Sequence, residues 1–256
     1  MDEPEREKGG SATNASDALE APQAASPRRR PPRRERDFAA IREAEDKAFR
    51  RRILAAAAEI FAERGFASAS IDEVARRLSA TKGLVYHRYR SKGELLADLC
   101  EDGLGGLVAR VAAIAARREP AITRLAAAAS LHAGDVLSRL SLHRTLASVT
   151  SGVSLAGLAG READAVRAVV MRRLDYDATF ARLIADAARE RDLPAGRDVE
   201  MLARLFVAAL DAPLVWPVEA AQEAATKSAL TARQLAYFAL RGIGASDATL
   251  REEFSR

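Results

Sequence analysis

Ser70-Ile-Asp-Glu-Val-Ala-Arg-Arg-Leu-Ser-Ala-Thr-Lys-Gly-Leu-Val-Tyr-His-Arg-Tyr89 decides how this chain is read. Ser70-Ile-Asp-Glu73 has the spacing of a capping box, in which the serine oxygen accepts from the Glu73 backbone N–H and the glutamate reaches back. The helix it opens would turn Ile71, Val74, Ala75 and Leu78 inward. Ser79-Ala80 makes a turn, and Thr81 stands where it can cap a second helix through Lys82, Gly83, Leu84, Val85, Tyr86, His87 and Arg88. Ser91-Lys-Gly-Glu94 repeats the capping pattern and opens a third helix.

Two helices of about eight residues joined by a tight turn make a helix-turn-helix, whose second helix fits a DNA major groove. Leu84 and Val85 are expected to anchor that helix to the first. Lys82, Tyr86, His87 and Arg88 bring donors for phosphates and base edges, and Gly83 permits close backbone approach. Lys92, at a helix start whose free N–H groups also attract anions, is expected to hold a phosphate. A solvated helical hairpin with the same spacing stays open at this point.

Working outward, Phe49, Ile53, Ala57, Ile60 and Phe61 recur at three- and four-residue spacing from about Asp46, and Gly65 stops that helix. Residues 1–38 form a separate zone. It contains Pro27-Arg-Arg-Arg-Pro-Pro-Arg-Arg-Glu-Arg36 and is read as a disordered basic extension, because it lacks the apolar surface to offset its ordering entropy. Its arginines could follow phosphates beside a helix-turn-helix or merely solvate the tail.

Three stretches together, Ile53-Leu-Ala-Ala-Ala-Ala-Glu-Ile-Phe-Ala-Glu-Arg-Gly-Phe66, Ser70-Ile-Asp-Glu-Val-Ala75 and Thr81-Lys-Gly-Leu-Val-Tyr-His-Arg-Tyr-Arg-Ser-Lys92, resemble the N-terminal domain of the TetR (tetracycline repressor-like) family. The resemblance runs without a gap over roughly residues 48–97. It implies an all-helical, dimeric repressor of double-stranded operator DNA, released by a small-molecule inducer. By position it implies phosphate contacts from Ser70, Thr81, Tyr86 and Lys92, and a groove-facing edge of Lys82, Gly83 and His87. The family's usual glycine and aliphatic residue in the turn are here Ser79 and Ala80. Its paired aromatics are Arg88-Tyr89, where Arg88 adds a candidate phosphate contact.

The whole chain suits this reading. It has 256 residues, 48% of them hydrophobic and only 5% aromatic, with formal net charge +4 and a sequence pI near 9.5. Alanine and leucine in excess over β-branched and aromatic residues favour helix, and the expected fold class is all-α. Domains are expected at 39–97 for DNA binding and 98–245 for effector binding and dimerisation, with 246–256 a tail. Gly103, Gly105 and Gly106 are read as a kink, break or hinge. Further helices are expected at 108–118, 122–137, 140–149, 162–191, 198–210 and 231–240. The last two, carrying Met201, Leu202, Leu205, Phe206 and Val207, then Leu235, Tyr237 and Phe238, are the expected homodimer pair.

The single cysteine, Cys100, excludes a disulfide framework and reads as a buried hydrophobe. The sequence has no bilayer-spanning run and no signal-peptide core, which places the protein in the cytoplasm, away from membranes. No phosphate loop, nucleophile elbow or zinc signature argues for an enzyme, and no cofactor is expected. The alternative function is a helical adaptor for an acidic protein partner.

The ligand pocket is sketched by His132, His143, Arg172, Tyr176 and Trp216. The run from Arg172 to Leu193 is similar to family members that answer to acyl-CoA thioesters, with Arg172, Arg173 and Arg182 as phosphate partners. Arginines on a solvated face explain the same run. His132 and His143 are expected on stretches separated by a break at Gly134, with no carboxylate at ligand spacing, so no metal site is expected.

Overall fold

The computed structural model describes residues 33–151 and 159–255. Among these the chain is helix, turn and loop, with no strand, and no helix is long and apolar enough to cross a membrane. The chain divides into two units at Ala44 and Glu45. Of the first, only the opening turns of helix α1 (Arg33–Arg64) are described.

Helix α1 starts at Arg33, inside the stretch read as extension, directly after Pro31 and Pro32. The remainder of the proposed arginine-rich arm, residues 1–32, lies outside the described residues. The inner face of α1 is Ile53, Leu54, Ala57, Ile60 and Phe61, all buried. Gly65 ends it at φ +76°, and Phe66 then packs edge-on against Phe61 at 5.4 Å.

Helix α2 (Ile71–Arg77) opens on the complete capping box: Ser70 Oγ accepts from Glu73 N–H, and Glu73 accepts from Ser70 N–H at 3.0 Å. It closes on a Schellman motif, with Ala80 N–H to Ala75 O and Ser79 N–H to Arg76 O, both at 3.0 Å. Ser79 sits there at φ 53°, the left-handed position where glycine is normally favoured. Helix α3 (Lys82–Arg88) follows at once. Thr81 holds its N-cap position but makes no side-chain cap bond. Helix α4 (Lys92–Cys100) is capped by Ser91, which accepts from Glu94 N–H at 3.1 Å, while Glu94 accepts from Arg90 N–H at 2.8 Å.

From α4 the backbone runs through a π-helical turn (Glu101–Gly105) into α5 (Gly106–Ala115). The glycine cluster is therefore a bulge within continuous helix rather than a break. Helices α6 (Ala121–Ser138) and α7 (Leu140–Thr150) meet at Arg139, whose φ −136° and ψ 46° make the corner. Gly134 does not interrupt α6. A Cβ on it would stand 3.8 Å from the Cβ of Ala232, so it marks the close approach of the later helix that carries Ala232.

Beyond lie α8 (Gly160–Arg189), α9 (Val199–Leu210), a 3-10 turn (Ala212–Leu214), α10 (Val218–Thr226), α11 (Ser228–Gly242) and α12 (Asp247–Ser255). Helices α10 and α12 lie outside the expected set. The segment read as a C-terminal tail is α12, started by Ser246 accepting from Thr249 N–H at 3.1 Å. It buries Leu250 and sets Phe254 edge-on to Tyr237 at 5.5 Å. Cys100 is buried, and burial pushes its thiol up to about 12, which leaves it inert.

Candidate nucleic-acid interface and buried polar core

Val85 is completely buried and holds α3 against the body of the domain. Its neighbours Lys82, Gly83, Tyr86 and His87 are exposed and form one stripe, since i, i+1, i+4 and i+5 share a helix face. Thr81 is exposed at the head of the stripe and Ser70 half-buried at the head of α2. Leu84 is a correction: expected as an anchor, it is 51% exposed, because its two neighbours on α3 already divide inside from outside.

Two other expected DNA residues are engaged within the protein. Arg88 pairs with Asp46 of α1. Lys92 is only 17% exposed at its side chain, donates to Ala67 O at 2.7 Å and lies 5.1 Å from the centre of the Phe66 ring. That ammonium fastens the loop after α1 to α4, so a phosphate contact would require it to exchange partners. Lys82 pairs with Asp72 of α2, a surface pair that water and salt weaken.

The frame behind α3 rests on polar groups that sequence reasoning did not pick out. Asp98 accepts from Arg50 Nη2 at 2.6 Å and Nε at 2.9 Å, and from the Tyr89 hydroxyl. Arg50 also donates to Asp102 at 2.6 Å. Burial, with Asp98 adding to it, pushes the Tyr89 phenol up to about 12, which keeps it a donor. These contacts lock the end of α3 to α1 and α4. Arg77 does the same for α2, reaching Glu59 and Glu63 of α1, each at 2.8 Å.

A second polar assembly crosses the core of the C-terminal helices. Asp135 accepts from Arg110 Nη2 at 2.6 Å, His143 Nε2 at 2.8 Å and Arg139 Nε at 3.1 Å. Arg139 also donates to Gly103 O of the π turn at 2.9 Å. Burial opposes ionisation of Asp135, yet the bonds from His143 and Arg139 win and hold it down at about 2. Burial pushes the His143 imidazole below its usual range, and its Nδ1 is buried without a partner.

The His132 ring lies 6.2 Å from that of His143 and is fully buried. Its Nδ1 meets the Tyr176 hydroxyl at 2.8 Å and its Nε2 meets Asp211 at 3.0 Å. Arg173 links Asp211, at 2.5 Å, to Asp177, at 2.8 Å. Against burial, His132 and Arg173 hold the Asp211 carboxyl well below the usual range, whereas burial pushes Asp177 up despite Arg173.

Of the five sketched pocket residues, the structure brings together His132, His143 and Tyr176. The expected separation at Gly134 fails, because both histidines point into one core from α6 and α7. Each ring does meet a carboxylate, His143 that of Asp135 on α6 and His132 that of Asp211 just after α9. Among the described residues no group of three or more histidine, cysteine or acidic side chains is arranged to hold a metal. Arg172 lies elsewhere, paired with Glu101. Trp216 is half-buried, and its carbonyl accepts from Arg144 at 3.3 Å.

Residues 53–99 match the family "Bacterial regulatory proteins, tetR family". Over 53 residues the chain is 42% identical to an uncharacterized HTH-type transcriptional regulator, TtgW, of Pseudomonas putida; the match covers 21% of this chain and 40% of that protein. A bacterial regulatory protein in the tetR family from Rhodococcus is similar in structure, with TM-score 0.58, 21% identity, and coverage of 77% of this chain and 98% of that one. PfmR, a TetR family transcriptional regulator from Thermus thermophilus, aligns at TM-score 0.60 and 20% identity over 76% and 97% of the two chains. FadR from Bacillus subtilis, in complex with stearoyl-CoA, aligns at 0.51 and 15% over 75% and 98%. At these identities the three structures establish a shared fold.

Proposed function

We propose, from the premise that this chain belongs through residues 53–99 to the TetR family of bacterial regulatory proteins, that it is a dimeric repressor of transcription. In this reading α3 enters the major groove of operator DNA and a small molecule bound among the C-terminal helices releases it. The observation that carries the DNA half is the exposed stripe of Lys82, Gly83, Tyr86 and His87 on a helix fixed from behind by Val85 and the Tyr89–Asp98–Arg50 network.

A groove-reading helix needs its symmetry mate one helical turn of DNA away, about 34 Å. Helices α9 and α11 support a dimer: each exposes large apolar groups, Met201 and Leu205 on the first, Tyr237 and Phe238 on the second. Phe206, Val207 and Leu235 face the subunit's own core instead, and Leu202 is half-buried against it. Release would follow from a population shift in which the ligand favours a spacing of the two α3 helices that no longer matches the grooves. Helix α4 and the π turn connect the two parts of the chain and are the proposed coupling element.

An acyl-CoA thioester is a second reading, supported by the fold shared with the stearoyl-CoA complex of FadR. Of its three candidate arginines in α8, Arg172 and Arg173 are paired with carboxylates, and Arg182 donates to Thr179 at 2.9 Å.

Gel-shift titration against the DNA flanking the protein's own gene tests the reading. Affinity should fall steeply with salt, as phosphate contacts require. Lys82→Ala and His87→Ala should change sequence preference, while Tyr86→Phe should weaken all operators alike. An absent or salt-independent shift would favour the alternative of an adaptor for an acidic protein.

A further inference from the structure

Helices α8 and α9 leave between them a cleft of 520 Å³, within the range of small-molecule sites. Its walls are small and apolar: Leu174, Ala178 and Ala181 from α8, Ala203, Val207 and Ala208 from α9. Its inner end is polar, made by Arg173, Asp177 and Asp211. Glu200 and Arg204 pair with each other at the cleft, 3.6 Å apart and largely solvated.

The inner end is short of positive charge. Two carboxylates share one guanidinium: Arg173 gives Nη2 to Asp211 and Nε to Asp177. Asp211 is saturated, since its second oxygen meets His132. Asp177 has Arg173 as its single cationic partner among the described residues and still lines the cleft. Its side chain is 35% exposed and meets the shared guanidinium at one edge, so a cation arriving in the cleft can reach it and add a second charge-assisted contact.

We propose that this cleft binds an organic cation, a protonated amine or quaternary ammonium on an apolar body, with the charge against Asp177 and the body along the alanines of α8 and α9. An anionic headgroup has no place there. It would face two carboxylates, and the one inner guanidinium is already bound on two edges. Burial has raised the Asp177 carboxyl, consistent with a group that lacks a full counter-charge.

The cleft lies at one end of the buried polar chain. From Asp177 the contacts run through Arg173, Asp211, His132, His143, Asp135 and Arg139 to Gly103 O of the π turn. A cation competing with Arg173 for Asp177 acts on the first link of that chain. This assignment deepens the ligand-responsive reading above and rests on it for its regulatory meaning, though binding itself does not need DNA.

Isothermal titration of the full chain, without DNA, tests the site with three probes sharing one apolar body: 4-phenylbutylammonium, 4-phenylbutan-1-ol and 4-phenylbutanoate. The ammonium should bind at least about tenfold more tightly than the carboxylate and more tightly than the alcohol. Asp177→Asn should erase the preference for the ammonium while leaving the alcohol's affinity unchanged. Ala208→Phe, an exposed position at the cleft, should weaken the ammonium and the alcohol together by about tenfold or more, and it keeps the test valid should Asp177→Asn not fold. The proposal is overturned if the ammonium does not bind, if the alcohol or carboxylate binds as well, or if Ala208→Phe leaves ammonium binding unchanged. Loss of DNA binding in the gel shift with ammonium binding intact would defeat the repressor reading and leave the site standing.

Discussion

Arg50 grips Asp98 at two points, Nη2 to Oδ1 at 2.6 Å and Nε to Oδ2 at 2.9 Å, so a residue of α1 and a residue of α4 are held in one plane. The same carboxylate receives the Tyr89 hydroxyl from just beyond α3. Bidentate guanidinium–carboxylate pairs fix direction as well as distance. Asp98→Asn leaves one oxygen and should cost roughly 1–3 kcal/mol of stability, the range for a charged hydrogen-bonded group losing its partners. Arg50→Met combined with Asp98→Asn should cost less than the sum of the two, read by urea denaturation. Additive losses would mean that the two groups do not act together.

Ser79 occupies the left-handed position of the Schellman motif between α2 and α3 at φ 53°. A side chain there costs roughly 1–2 kcal/mol against a right-handed conformation, and glycine avoids most of it. Ser79→Gly should therefore raise the thermal midpoint, by a gain of up to about 1 kcal/mol once glycine's greater unfolded-state freedom is subtracted. The operator footprint should not move, because Ser79 makes the turn and does not belong to the exposed stripe of α3.

What can be read in the chain beforehand follows from how local each signal is. The capping serines Ser70 and Ser91 act on backbone three residues away, so their spacing is legible; the box closes at Ser70, while at Ser91 the serine caps and Glu94 reaches Arg90 N–H instead. The outward stripe of α3 is likewise a matter of helical phase. The internal pairing of Arg88 and Lys92 is not legible, because their partners, Asp46 and Ala67, are 42 and 25 residues distant. Gly134 looks like a break for the same reason. A glycine inside a helix costs about 1 kcal/mol on its own, and only the approach of Ala232 on α11 accounts for it. The pairing of His132 with Asp211, 79 residues apart, has no local signature at all.

Gly103 meets the same test in reverse. A Cβ added there would overlap Leu142 Cδ2 and lie 2.9 Å from Cδ1, so the buried Leu142 side chain would have to shift. Gly103→Ala should destabilise by about 1–3 kcal/mol through overpacking, in spite of alanine's better helix propensity. Leu142→Ala alone leaves a cavity and should also destabilise. The double variant should be less affected than the two losses added, because each change relieves the other. Simple additivity in chemical denaturation would show that α7 does not press on the π turn.

Acid should act on the folded chain in two stages. Burial pushes the His143 pKa down from 6.5, so below about pH 6.5 the unfolded chain takes up a proton that the folded chain refuses. Stability from this group is complete above pH 6.5 and declines below it, by up to about 1.4 kcal/mol per pH unit. Asp135 behaves as a depressed carboxylate, lowered from 3.8 to about 2; its contribution is present above pH 3.8 and disappears between there and pH 2. His143→Gln keeps a donor for Asp135 without titrating. It should flatten the first limb and spare the second, in unfolding curves measured at each whole pH from 7 down to 2. An unchanged slope between pH 6.5 and 5 would mean that His143 is free to take up a proton in the fold.

Lys82 of α3 is paired in the free protein with Asp72 of α2. On the proposed interface that pair stands where DNA phosphates and base edges would approach, and a carboxylate there repels the backbone. Exposed pairs contribute about 0–1 kcal/mol, so Asp72→Asn should leave the unfolding midpoint nearly unchanged. Its effect on DNA should be larger. It removes one negative charge from the contact surface and frees the ammonium, and affinity should rise several-fold at low salt with the gain shrinking as salt screens it. Lys82→Ala placed on top should remove the part of the gain that passes through that ammonium. If Asp72→Asn instead weakened binding, Asp72 would be orienting Lys82 toward its base rather than holding it back, and the pair would be part of the reading head.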